Sequence, residues 1–252
     1  MDLSTILFLA GMALLGGFID AIAGGGGMLV MPALLSIGMP PHLVIGTNKL
    51  VSTFGTFSAS LTFIRKGLFK PALWWAMSFG TCVGALIGAM LVYLLSAGVL
   101  KKLLPLAILL AAGYLVWPRR TPPAPVDPQP VTATSQRGVK SLTGGLIGFY
   151  DGFIGPGTGA FWMVATMKLF HLDMVAAAGV ARFMNFISNI SALLTFVILG
   201  NVDYTIGLTM GATLMLGAFV GAHSAIRYGA PFIRPIFLLV VALMAGRLLL
   251  TG

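Results

Sequence analysis

Asp20-Ala-Ile-Ala-Gly-Gly-Gly-Gly-Met28 and Asp151-Gly-Phe-Ile-Gly-Pro-Gly-Thr-Gly159 decide how this chain folds. Each sets an aspartate one turn ahead of a glycine-rich run inside otherwise apolar sequence. Four successive glycines have little helical preference and permit left-handed dihedrals, so the helix carrying Asp20 breaks after Ala23 and a new one starts near Met28. In the second stretch Pro156 removes a backbone donor, and Thr158 is placed to cap the helix that follows. Such a break presents free N–H groups and a positive helix end, a ready site for an anion. Gly25, Gly26, Gly27, Gly157 and Thr158 are the positions that supply them. Broken helices at matching places in two halves of a membrane protein point to a transporter's binding site.

The surroundings make this a membrane protein. Of 252 residues, 58% are apolar and 8% charged, with a mean hydropathy of +1.00, whereas a soluble domain carries about a quarter charged residues. A cytosolic enzyme and a disordered chain are both excluded. One cysteine, Cys82, excludes a disulfide scaffold, a Cys-rich zinc site and an iron–sulfur cluster. The net charge of +9 comes mostly from basic residues between apolar stretches, where they anchor helix ends; no basic stripe with interleaved aromatics suggests nucleic acid. His42, His171 and His223 lack metal-ligand spacing, and no cofactor motif appears.

At about 20 apolar residues per crossing, eight spans fall near 4–23, 43–64, 71–95, 98–117, 140–155, 175–199, 204–226 and 231–250. The amino terminus has no positive n-region and reads as a first span, not a signal peptide. Two shorter stretches, Met28–Ile37 and Phe161–Phe170, cannot cross a core of about 30 Å and read as re-entrant segments. The proline-dense segment 118–139 is a surface linker between a first membrane half, 1–117, and a second, 140–252. The halves repeat. At an offset of 133, Lys49 falls on Arg182, Ser58-Ala59 on Ser191-Ala192, Thr62-Phe63 on Thr195-Phe196 and Gly67 on Gly200; at 131, Asp20 falls on Asp151 and Gly24 on Gly155. The expected fold is therefore all-α and integral to the membrane, with about eight helices in two homologous repeats, each containing a broken or re-entrant helix. Four spans per half would leave the halves in the same orientation and an odd number would invert them. The basic residues favour both termini in the cytoplasm.

Four charges do not belong in lipid: Lys49, Arg182, Asp20 and Asp151. At about 2.5 to 3.5 kcal/mol each they oppose insertion by roughly 10 kcal/mol unless paired, hydrated or neutralised. Lys49 and Arg182 each head a polar stripe, with Asn48, Ser52 and Asn185 nearby, the last two being three residues beyond a cation on its helical face. One reading pairs these cations permanently with the aspartates; the other gives one or both to a small, partly dehydrated anion. Asp20 and Asp151 are accordingly candidates for proton coupling or for ion pairing. The Tyr150-Asp151 step matches half of an intramembrane aspartyl protease pattern, but Asp20 lacks the other half and no nucleophile–base pair is found.

GGFIDAIAGGGGMLVMPALL (16–35), IGTNKL (45–50), FIRKG (63–67) and GFYDGFIGPGTGAF (148–161) resemble the TauE/SafE permeases, the toluene sulfonate uptake permease family, and most of all its YfcA-like branch. The resemblance runs from about Leu14 to Leu250. It implies a multi-pass permease of the bacterial plasma membrane, built by duplication, that moves sulfite, sulfonates, sulfoacetate or similar anions with no cofactor and no covalent chemistry. A channel-like conduit and an intramembrane enzyme are the rival classes, and homo-oligomers are possible. The second half has Val180-Ala181-Arg182 where the first has Thr47-Asn48-Lys49, so two half-sites would not be equivalent.

Overall fold

The computed structural model describes residues 2–104, 106, 137–233 and 235, and these are helical apart from short connections. In chain order the helices are α1 (Leu3–Ala23), α2 (Gly27–Ser36), α3 (Pro41–Arg65), α4 (Trp75–Leu94, after a 3-10 turn at Pro71–Trp74), α5 (residues 97–104 as far as described), α6 (Arg137–Phe153), α7 (Thr158–Phe170), α8 (Met174–Ile198) and α9 (Tyr204–Tyr228). Helical structure resumes at residue 230. The linker, most of the predicted span 98–117 and most of the span 231–250 lie outside the described residues.

Among the described residues, four helical segments are both long and apolar enough to cross a bilayer: Leu3–Ala23, Pro71–Leu94, Met174–Ile198 and Tyr204–Tyr228. With 25 residues α3 is long enough, but Thr47, Asn48, Lys49, Ser52, Thr53 and Thr56 dilute its hydropathy. The 10 residues of α2 and 13 of α7 rise only about 15 and 20 Å and fall short of a hydrocarbon core. Both fold back. Val30 of α2 lies against Gly16 of α1, and Val30, Met31 and Leu34 share an apolar core with Leu9 and Ala13. Phe161 of α7 stacks edge-on against Tyr150 of α6, and Phe170 at the far end of α7 meets Trp74, over which Lys140 from the first turn of α6 also sits. The pairs α1–α2 and α6–α7 are thus helical hairpins that fold back at the glycine-rich breaks.

Small residues set which helices pack. On α4, Gly80, Gly84 and Gly88 face the backbone carbonyls of Ser141, Gly145 and Phe149 on α6, while Gly144, Gly148 and Gly152 face Met77, Thr81 and Ala85 in return. The α1–α9 seam is built alike, with Gly217 and Gly221 against Leu14 and Phe18, and Gly17 against Leu214. Backbones approach this closely only where no side chain intervenes. In both seams residue numbers rise together, so the partners run parallel, as do α3 and α9, where Leu50 meets Gly207 and Phe54 meets Gly211.

Against this, α3 and α8 run in opposite directions: Lys49 meets Asn189, Phe57 meets Phe186, and Phe63 meets Gly179. The start of α3 meets the end of α4 through His42 and the Leu95 carbonyl. Helices α1, α3 and α9 therefore point one way, and α4, α6 and α8 the other. The same orientation that four spans per half would give is not what the described residues show: the α1–α2 hairpin returns to its own side, and α6 starts from the end opposite to α1. Arg65, Lys66, Lys70, Arg137, Lys140, Lys168 and Arg227 gather at the end where α3 finishes, whereas α1 starts at the other end, near Lys101 and Lys102.

Gly84→Ala is expected to lower the thermal unfolding temperature in detergent, since its new Cβ would collide with the Gly145 carbonyl, at a cost of about 1–3 kcal/mol. Gly138→Ala, in open space, serves as the neutral control; equal behaviour of the two would refute the seam.

Candidate functional site

The two glycine-rich breaks meet at the centre of the molecule. Gly24 closes α1 in the left-handed region (φ 87°) and its N–H donates to the Asp20 carbonyl; Gly155 after α6 adopts the same φ of 87°. A Cβ on Gly24 would run into the backbone of Gly159 and Ala160, so both conformation and space require glycine there. Helix α7 starts after Gly157, itself left-handed at φ 78°. The expectation that Thr158 caps this helix is corrected: Thr158 is its first residue, and its hydroxyl donates to the Gly155 carbonyl at 2.6 Å with Asp151 Oδ1 3.1 Å away. The cap position ahead of the first turn belongs to Gly157, which has no side chain to accept from the helix N–H groups.

The four intramembrane charges pair crosswise between the halves. Lys49 of α3 donates to Asp151 Oδ1 (2.9 Å), to the Asp151 carbonyl (2.5 Å) and to Asn189 Oδ1 (3.2 Å). Those acceptors use all three donors of an ammonium. Ser188 donates to Asp151 Oδ2, completing the carboxylate's shell. Arg182 of α8 and Asp20 of α1 form the other pair, but its nearest approach is 3.6 Å. Asp20 Oδ1 accepts instead from the Gly26 N–H at 3.0 Å. The Arg182 side chain is fully buried (0% exposed), and Nε and both terminal nitrogens have no hydrogen-bond partner among the described residues. Leaving a buried guanidinium so is costly, and it stands beside Gly159 and Asn185.

A cavity of about 20 Å³, room for about one water, lies between the breaks. It brings together Asn48, Ser52, Asn185, Gly27, Gly157, Thr158, Asp20 and Asp151 from the predicted set, and adds Thr56, Asn189, Gly24, Gly155 and Gly159. Asn48 Oδ1 and Asn185 Oδ1 are buried without a partner among the described residues. Lys49 and Arg182 stand behind the lining, Gly25 is not part of it, and Gly26 acts through its N–H on Asp20. Thr56 follows Ser52 by four residues on the same helical face, a signal present in the sequence but not used.

A charge-compensated polar centre, enclosed by two re-entrant hairpins within a shell of apolar helices, is the architecture of a membrane transport protein. Comparison with known proteins agrees. Residues 9–248 match the family described as "Sulfite exporter TauE/SafE", and the chain belongs to that family. It is similar to a probable membrane transporter protein, ORF9, of Sinorhizobium sp (39% identity, covering 97% of this chain and 92% of the relative). A probable membrane transporter protein of Haemophilus influenzae is 36% identical over 98% and 95% of the two chains, and the probable membrane transporter protein YfcA of Escherichia coli K12 is 37% identical over 94% and 87%. No solved structure gives a significant match.

Removing one member of the closed pair leaves a buried charge alone. Lys49→Met is expected to destabilise the protein by about 3–5 kcal/mol, read as thermal unfolding in detergent, and Lys49→Met combined with Asp151→Asn is expected to recover a large part. A double variant no more stable than the single one would show that the two groups are not coupled.

Proposed function

We propose that this protein is a permease of the bacterial inner membrane for a small sulfur-containing or organic anion, of the sulfite, sulfonate or sulfoacetate class. The anion binds at Arg182, between the two glycine-rich breaks. The observation that carries this reading is the buried guanidinium with no hydrogen-bond acceptor, set beside a polar cavity. Asn48, Asn185 and Ser52 supply amide and hydroxyl contacts, and the N–H groups at Gly27 and Thr158 add helix-end dipoles. Lys49, with every donor engaged, holds the second break in place. The name of the matched family, a sulfite exporter, favours the same substrate class.

The two halves are read as an inverted duplication. The aligned pairs Gly24/Gly155 and Gly67/Gly200 share φ values of 87°/87° and 70°/68°, and Gly38 at 79° falls on His171 at 52°, the described non-glycine residue with positive φ. The seams α1–α9 and α4–α6 exchange under the same relation. Alternating access then comes from one half moving against the other. A cavity holding about one water is closed to any sulfonate until the halves move, which favours a carrier over an open conduit. The gathering of basic residues at the far end of α3 favours that end in the cytoplasm and the amino terminus outside.

Sulfite, thiosulfate, sulfoacetate, taurine and simple carboxylates should be tested as ligands by thermal shift of purified protein. At least one is expected to stabilise the wild type, and Arg182→Ala to abolish that response while still inserting; stabilisation by none, or an undiminished response in Arg182→Ala, overturns the site. In a Cys82→Ser background, a membrane-impermeant maleimide is expected to label Ser4→Cys and not Lys66→Cys in spheroplasts. The reverse pattern would refute the orientation.

A further inference from the structure

We propose that Asp20 is the coupling group of this transporter: it competes with the transported anion for the Arg182 guanidinium, so each anion binds together with one proton taken up by Asp20. The proposal rests on the reading of the centre as an anion site and adds what drives it. It follows from the difference between the two ion pairs. Asp151 is held by Lys49, Ser188 and the Thr158 hydroxyl, and its side chain is 4% exposed. Asp20 keeps a single hydrogen bond, from the Gly26 N–H. Its second oxygen stops 3.6 Å from Arg182, beyond hydrogen-bond reach, and the side chain lines the cavity at 13% exposure. One pair is closed and the other is open.

The charge balance follows. With both pairs intact the centre is neutral, and a singly charged anion added beside Arg182 makes it negative by one, with Asp20 as the nearest carboxylate. Low-dielectric surroundings oppose an uncompensated charge, and one proton on Asp20 restores neutrality. The other groups that face Asp20 do not offer an alternative. Arg182 comes from α8 and Asp151, within electrostatic reach, from α6. Lys49 of α3 is bound to Asp151, and α2 has no titratable residue. Lys168 stands at the far end of α7, and His223 of α9 is engaged with the Phe219 carbonyl. After the halves move, Asp20 loses its proton to the opposite side and returns to Arg182, expelling the anion.

The test is proton uptake on ligand binding, measured calorimetrically with methanesulfonate, and with acetate as a second probe, both singly charged near neutral pH, in buffers of differing ionisation enthalpy. Wild-type protein is expected to take up about one proton per anion, with affinity rising toward about tenfold for each unit fall in pH. Asp20→Asn is expected to bind the anion with no proton uptake and a flat pH dependence, and in proteoliposomes to lose accumulation driven by a pH gradient. If Asp20→Asn does not fold, Asp20→Glu must retain the uptake and shift the carboxylic-acid band in the ligand-induced infrared difference spectrum. Binding to wild type without proton uptake, uptake that survives in Asp20→Asn, or an unshifted band in Asp20→Glu overturns the coupling and leaves the anion site standing. Failure of both probes to bind wild type overturns the two readings together.

Discussion

The contact between Lys49 and Asp151 is the constraint on which the rest of the structure depends. An ammonium and a carboxylate, 1% and 4% exposed, cannot remain at membrane depth separately, and they arrive on helices of different halves separated by 102 positions in the chain. For them to meet, α6 must carry Asp151 inward as far as the first two turns of α3 and end there. The break at Gly155 lets it end, because a continuous helix would carry the following residues past Lys49. In the left-handed region, and with Asp151 Oδ1 and Lys49 Nζ only 2.6 and 2.9 Å from where a Cβ would stand, Gly155 tolerates no side chain. Charge pairing and backbone conformation are one requirement at this position.

That requirement explains the prevalence of small residues elsewhere. The re-entrant hairpins bring polar backbone to the middle of the molecule, and nothing but protein or a watery cavity can cover it there. Cover comes from α4 and α9, which lie along α6 and α1 through glycine seams with no side chain between the backbones. Lipid offers little hydrophobic drive for helix association, so close van der Waals contact provides the attraction. Exposed Leu, Phe and Val on the outer faces of α1, α4 and α9 are what a lipid-facing surface presents.

The parts of this arrangement governed by local chemistry were legible in the sequence. The glycine runs announced both breaks, the lengths of Met28–Ile37 and Phe161–Phe170 announced re-entrance, and the aspartates and cations stood out against apolar surroundings. Helix direction was not legible, since whether a stretch of about 20 apolar residues crosses or returns depends on what it packs against. Counting the α1–α2 region as one crossing without weighing the return of α2 was enough to suggest halves in the same orientation. Nor could sequence spacing tell Lys49 from Arg182: both lie at equivalent positions, and their difference arises from partners more than 100 residues away. Thr158 misled for a related reason, since a hydroxyl caps a helix only from the position before its first turn, and the helix starts at Thr158 itself.

The non-equivalence of the two cations is the more informative result. An exact duplication would have produced two identical pairs, both closed or both open. Instead the first half keeps Lys49, a compact ammonium whose three donors are satisfied by one aspartate and one asparagine, and the second carries Arg182, a wide fork that one distant carboxylate oxygen cannot fill. Lysine presents a point charge and arginine a planar array suited to an oxyanion. The neighbours differ to match: Asn189 accepts from Lys49, whereas Asn48 and Asn185 leave their carbonyl oxygens unpaired beside the cavity. A structure that held both pairs only to satisfy buried charge would have no reason to keep an arginine with empty donors beside an aspartate it does not reach. The proposed anion site would supply a reason: one pair fixes the halves to each other at the centre, and the other is left for the ligand.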